Sequence, residues 1–347
     1  MNTAARYAPG VVRPGPSPQV APVRVAVVGT GEWWGRQHAE LFAGRADTSL
    51  VAVVGRDSAR TAARAAEFGT VPYVDLDEML DRCRPDLVSV CLPNERHYEP
   101  TLKLIRAGVP LLLEKPLVFA LDEADTLITE AARQDLFVGI NFNHRYAKPV
   151  RLALAAINRG DLGRLTFATW RFGGEPGSSR HPHANLIETQ CHGLDLLEHL
   201  CGPIESVVAQ LAEPSGHGWS TLVVGVRFGN GAVGSLVGTY DSSYAYQDAH
   251  RVELNGTAGR ILIDDTVRRY RFQRAENETA QVWQAGYFND TDRSFHATFD
   301  RHVDELLAAL RAGGPPPVPI SAGRRALLLA EAVISSYESG SRVSTVE

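Results

Sequence analysis

From Val23 onward, short apolar runs alternate with stretches whose apolar residues recur every three to four positions. VRVAVVG (23–29), SLVAVVGRD (49–57), PDLVSVCLP (85–93), VPLLLEKP (109–116) and LFVGINFN (136–143) are nearly continuous in hydrophobicity, as strands buried on both faces are. Between them, GRQHAELFAGR (35–45), TAARAAEFG, YEPTLKLIRAG and LDEADTLITEAARQ have helical spacing, with Gly69 and Gly108 as stop signals. This alternation predicts a doubly wound parallel sheet over residues 23–143.

After Arg145 the pattern changes. A helix over 147–159 and a β-rich run, GRLTFATWRF, lead to a helix near 186–201. Strands then dominate: IESVVAQLA, STLVVGVRFGNGAVGSLVGTY and HRVELNGTAGRILIDD. Their apolar–polar alternation predicts a mostly antiparallel sheet, with hairpin turns at Phe228–Gly231 and at Asn255-Gly256. The strands from Thr221 to Tyr240 keep one face clear of helices, which suits subunit pairing. Two helices, one within 294–313 and one within 321–340, close the second region, 144–347. Residues 1–22 have neither period, carry five prolines and read as a disordered arm.

Composition narrows the class. The chain has 347 residues, is 44% hydrophobic and carries a formal net charge of −5, which points to neither nucleic acid nor an anionic membrane as partner. It contains no apolar run of the roughly 18 residues a membrane helix needs. Cys83, Cys91, Cys191 and Cys201 form no metal or redox spacing, so reduced thiols and a cytoplasmic location are expected.

The first strand ends in GTGEWWG, with Gly29, Thr30 and Gly31 between strand and helix, where a dinucleotide's pyrophosphate binds. The third glycine, Gly35, comes one residue later than in the usual fingerprint. Trp33 and Trp34 lie in the same loop and read as packing residues more readily than as ring-stackers beside the cofactor. The second strand ends with Gly55 and Arg56, a small residue and a guanidinium that suit a 2′-phosphate, which favours NADP over NAD, although Asp57 is within reach of a ribose.

Ligands of such sheets bind beyond the carboxyl ends of the strands. That edge collects Lys115, Pro93-Asn94 and Asn143, with Lys115 placed to give or take a proton beside the nicotinamide and Glu114 to steady either the lysine or the turn before Pro116. In NLIETQCHGLDLLEHLCG, Glu188 and His192 are four residues apart and Asp195 three beyond, so a carboxylate can orient the imidazole, or the groups can merely pair on a helix surface. His192 and His199 are about 10 Å apart along a helix, too far for one ion, and no metal is expected. Arg180, His181 and His183 fall in a loop over 171–185 that reads equally as a substrate rim or as solvated surface, and Arg145 reads as structural.

These motifs together resemble the glucose–fructose oxidoreductase/inositol dehydrogenase/MocA (Gfo/Idh/MocA) family: Gly29-Thr-Gly31, Pro93-Asn94 with His97, Glu114-Lys115-Pro116, Asn143 to Tyr146, and Glu188, His192 and Asp195 in order. The resemblance implies a Rossmann domain followed by an open-faced antiparallel domain, sugar or cyclitol substrates, and a homodimer or homotetramer. It also implies that Lys115 and His192 handle the proton, and that Glu188 stands where the family more often has Asp. Two other readings are open to such a chain: a glycoside hydrolase that uses NAD transiently, and a redox-silent dinucleotide sensor.

Overall fold

The structure is a computed structural model that describes residues 21–177 and 179–346. The arm expected over 1–22 lies outside the described residues except for Ala21 and Pro22, which are exposed.

The first half alternates strand and helix as the hydrophobic pattern requires. Strands β1 (Val23–Val28), β2 (Thr48–Val54), β3 (Val71–Tyr73), β4 (Leu87–Val90), β5 (Leu111–Leu113) and β6 (Val138–Ile140) are separated by helices α1 (Trp34–Gly44), α2 (Ser58–Phe68), α3 (Leu76–Cys83), α4 (Tyr98–Arg106) and α5 (Leu121–Arg133). All six strands pair in parallel in the order β3-β2-β1-β4-β5-β6. The order reverses direction at β1, so the crevice between the ends of β1 and β4 is where such a sheet binds its ligand.

The second half begins with α6 (Lys148–Asn158) and β7 (Leu165–Gly173), followed by a π-helical segment (Asn185–Gln190) that runs into α7 (Cys191–Cys201). Strands β8 (Ile204–Ala212), β9 (Thr221–Phe228), β10 (Val233–Thr239), β11 (His250–Gly256), β12 (Gly259–Asp264), β13 (Arg269–Arg274) and β14 (Gln281–Gln284) come next. Helices α8 (Asp290–Arg293), α9 (His296–Ala312) and α10 (Ile320–Ser339) and the short β15 (Val343–Ser344) end the chain. The nine-stranded sheet has the order β14-β13-β12-β11-β7-β10-β9-β8-β15 and is antiparallel except where β7 meets β10.

Burial alternates along β9 and along β8 from Val207, and one face of the sheet packs on α10 at β8 and on α7 at β7, while Val208 and Val223 on the other face are exposed. The turn after β9 forms where expected, with the Gly231 N–H donating to Phe228 O. The second turn does not. Asn255-Gly256 stays in β11, and the chain reverses at Thr257-Ala258. The backbone of Gly256 lies so close to Leu162 that a Cβ there would sit 2.1 Å from the Leu162 carbonyl oxygen, so this glycine serves close packing and not the reversal.

The core is shared between the halves. Phe299, Val303, Leu306 and Leu307 of α9 pack with Val25, Val27, Phe42 and Leu112, so this late helix covers a face of the first sheet. The four cysteines are buried and free. Among the described residues no helix is long and apolar enough to cross a membrane.

Candidate active site

The phosphate loop is built by tight backbone approaches. Gly29 has φ +132°, and a Cβ there would lie 2.4 Å from the Cys91 carbonyl oxygen. Gly35 sits inside α1, where a Cβ would be 2.8 Å from the Gly29 carbonyl oxygen, so the displaced third glycine still lets helix and strand pack closely. The backbone of Gly31 faces open space. No side chain caps α1, whereas Asp57 and Asp75 cap α2 and α3. An uncapped helix start beside a bare glycine suits an anion such as a pyrophosphate. Thr30 is buried against Gly55, where any side chain would collide with it.

Trp34 is half-buried and meets His38 edge-on at 6.4 Å, consistent with packing. Trp33 is 67% exposed, so the packing reading fails for it. At the tip of β2, Arg56 is exposed, and Asp57 accepts a hydrogen bond from the Arg60 backbone N–H at 3.0 Å.

At the end of β4, Pro93 is exposed and Asn94 half-buried, opening a short 3-10 turn. His97 is buried with Nδ1 2.8 Å from the Pro116 carbonyl and Nε2 2.9 Å from the Leu92 carbonyl. It therefore ties the lysine turn to β4 and does not offer its ring to a cofactor. Glu114 likewise turns inward. It accepts from His38 Nε2 at 3.0 Å and Asn141 Nδ2 at 2.6 Å, and its second oxygen faces the Lys115 backbone N–H at 3.3 Å. Burial pushes the Glu114 carboxyl up, but these donors and the nearby lysine outweigh it and hold it below the usual range. Of the two roles expected for Glu114, bracing the turn is the one its contacts describe.

Lys115 leaves the first sheet and reaches the second half of the chain: its Nζ donates to the Glu188 backbone carbonyl at 2.9 Å. His192 follows Glu188 by four residues, and both side chains are more than nine-tenths buried. Lys115, Glu188 and His192 thus come together. Glu188 Oε1 and His192 Nδ1 are buried without a hydrogen-bond partner. Burial first, then His144, Lys115 and His250, push the His192 imidazole well below its ordinary value, so the ring is neutral at neutral pH.

Three expectations about the surroundings change. Asp195 does not orient His192. It pairs with Arg145 through two bonds of 2.8 and 2.5 Å, and two charges buried together satisfy each other first. Asn143 is buried and donates from Nδ2 to Thr298 Oγ1 at 2.9 Å, which ties it to α9 in place of the crevice. His183 turns toward Trp219, with ring centroids 6.5 Å apart. Arg180 and His181 line a cleft of about 430 Å³ with Asn94, His97, Tyr98 and Phe119.

Two residues of this region were not singled out from the sequence. His144 stacks on His192 with centroids 4.2 Å apart, and His250 stacks on His144 at 6.0 Å. Alternation marks His250, which is in phase with the buried Val252 and Leu254 of β11. No spacing rule marks His144. Among the described residues no cluster of histidine, cysteine and carboxylate side chains could hold a metal ion.

Sequence and structure comparisons agree with this architecture. Residues 23–142 match the family model for the NAD-binding Rossmann fold of the Gfo/Idh/MocA oxidoreductases, and residues 156–345 match its C-terminal alpha/beta domain. The chain is 26% identical to a myo-inositol 2-dehydrogenase of Thermotoga maritima, over 91% of this chain and 96% of that protein. A D-glucoside 3-dehydrogenase of Escherichia coli is 32% identical over 152 residues, only 44% of this chain and 43% of that protein. Levoglucosan dehydrogenase, solved with NADH and levoglucosan, superposes with a TM-score of 0.85 at 20% identity, covering 94% of this chain and 100% of that one. The chain belongs to the Gfo/Idh/MocA oxidoreductase family, an NAD-binding Rossmann domain joined to a C-terminal alpha/beta domain.

Proposed function

We propose that the protein moves hydride between a nicotinamide cofactor and a secondary alcohol or ketone of a sugar, sugar derivative or cyclitol. The observation that carries this reading is the bond from Lys115 Nζ to the Glu188 backbone carbonyl, which joins an amine from the first sheet to the segment that runs into His192. The inositol and glucoside dehydrogenases among its relatives support the substrate class.

The nicotinamide, when bound, supplies the hydride acceptor or donor. Gly29, Thr30 and Gly31 and the uncapped start of α1 would hold its pyrophosphate. In alcohol oxidation, neutral His192 takes the hydroxyl proton on Nε2, since Nδ1 is buried. Lys115 hydrogen-bonds the same oxygen and stabilises the charge that develops there. Glu188 positions a neighbouring hydroxyl. Ketone reduction reverses the proton's path.

NADP is the favoured cofactor. Asp57, two residues past Gly55 at the end of β2, is engaged in capping α2, while Arg56 stands exposed at the strand tip. The open face of the nine-stranded sheet, with Val208 and Val223 exposed, supports a homo-oligomer.

A screen of NAD and NADP with inositols, free sugars, amino-cyclitols, glycosides and nucleotide-linked ketosugars tests the reading. A steady absorbance change at the reduced-nicotinamide band with at least one polyol or ketosugar is expected. Arg56→Ala should weaken NADP by about tenfold, the worth of a lost charge-assisted bond, and leave NAD unchanged. Glycoside cleavage without net cofactor turnover, or no turnover with any compound, would overturn it.

A further inference from the structure

We propose that His144 is a positioning residue for His192, its stacked ring fixing the plane of the base in place of a hydrogen bond. The inference rests on the reading of His192 as the proton-handling group. A catalytic imidazole is ordinarily aimed by an acceptor on its second nitrogen. Here Nδ1 of His192 has no partner, and Arg145 holds the carboxylate three residues on. An imidazole's outer torsion has a broad, two-fold preference, so without that bond rotation about it must be limited by contact.

The contacts are present. His144 lies over His192 at 4.2 Å and 27°, and Phe142 meets the same ring edge-on at 5.9 Å. His144 is itself boxed in by Phe295 at 5.2 Å, Trp170 at 5.7 Å and His250 at 6.0 Å. Its backbone neighbours are both pinned: Asn143 bonds Thr298, and Arg145 bonds Asp195 on the helix that carries His192. The ion pair therefore registers the platform to the base. Burial, followed by the charge of Lys115, lowers His144 to about 3, so the stack is between two neutral rings. The titratable groups around His192 are Lys115 after β5, Glu188 and Cys191 before it, Asp195 with Arg145, His144, and His250 on β11.

The test compares His144→Phe, which keeps a flat ring without nitrogen, with His144→Asn, which keeps polarity without a ring. The readouts are kcat, KM and the pH profile of kcat/KM for the best substrate of the screen. His144→Phe should stay within about threefold of the parent kcat, whereas His144→Asn should lose about 10²-fold, the scale of a misdirected general base, with cofactor affinity unchanged in both. The acid limb of the profile should remain low in His144→Phe and rise toward the ordinary histidine range in His144→Asn, where water reaches the ring. A folded His144→Phe that binds cofactor but has lost turnover overturns the proposal, as does full activity in His144→Asn. His192→Asn serves as the control: if it stays active, the assignment of the base fails, independently of the stack.

Discussion

At the residue scale, the site depends on which charges are already committed. Asp195 is the clearest case. Its spacing from His192 suggests a carboxylate–imidazole pair, yet Arg145, 50 residues earlier, holds both its oxygens. Spacing along one helix is legible in a sequence; competition from a distant guanidinium is not. Lys115 past the end of a strand and His192 on α7 lie where a strand end and a helix place them by rule. The stacking of His144 on His192 leaves no periodic trace, whereas alternation along β11 marks His250. Asp195→Asn should therefore behave as the loss of a buried ion-pair partner. Unfolding in urea should show a loss of about 3 kcal/mol, because Arg145 keeps its charge with no carboxylate to meet it. A loss under 0.5 kcal/mol would show that solvent already satisfies Arg145.

At the element scale, the strands and helices of the first half follow directly from their apolar runs, and even the shifted glycine loop keeps its close helix–strand packing through Gly35. The segment carrying Glu188 is different. Helical spacing predicted one α-helix near 186–201, but Asn185–Gln190 is π-helical before α7 begins. Such segments often occur at functional sites. Side-chain contacts brace this one: Gln190 donates to Asn185 Oδ1 at 3.1 Å and accepts from Trp170 Nε1 at 3.0 Å. Gly193 is where Trp170 presses on the helix, and a Cβ there would lie 2.4 Å from Trp170 Nε1. Gly193→Ala should destabilise the protein by about 1–3 kcal/mol through overpacking, measured by denaturant unfolding, and should lower kcat by disturbing the turn under Glu188. Unchanged stability would mean that Trp170 moves aside freely.

At the scale of the molecule, the two sheets and their order of appearance were legible, while the return of α9 to the first sheet was not, because an amphipathic helix does not state which surface it covers. That return matters for function. Through Thr298 and His302, α9 meets Asn143 and Asn141, and Asn141 in turn bonds Glu114 beside the lysine. The lysine turn is thus braced from one side by α9 and reaches the Glu188 backbone on the other. The central claim is that an amine and an imidazole from separate halves of the chain act on one substrate oxygen. Steady-state kinetics of Lys115→Met, His192→Asn and the double variant, with cofactor affinity titrated in parallel, test it most directly. The account predicts that each single variant loses at least about 10³-fold in kcat with cofactor affinity within about twofold, and that the double variant is little worse than either, as groups acting as a unit behave. Turnover within tenfold of the parent in either single variant, or losses that multiply in the double, would contradict it.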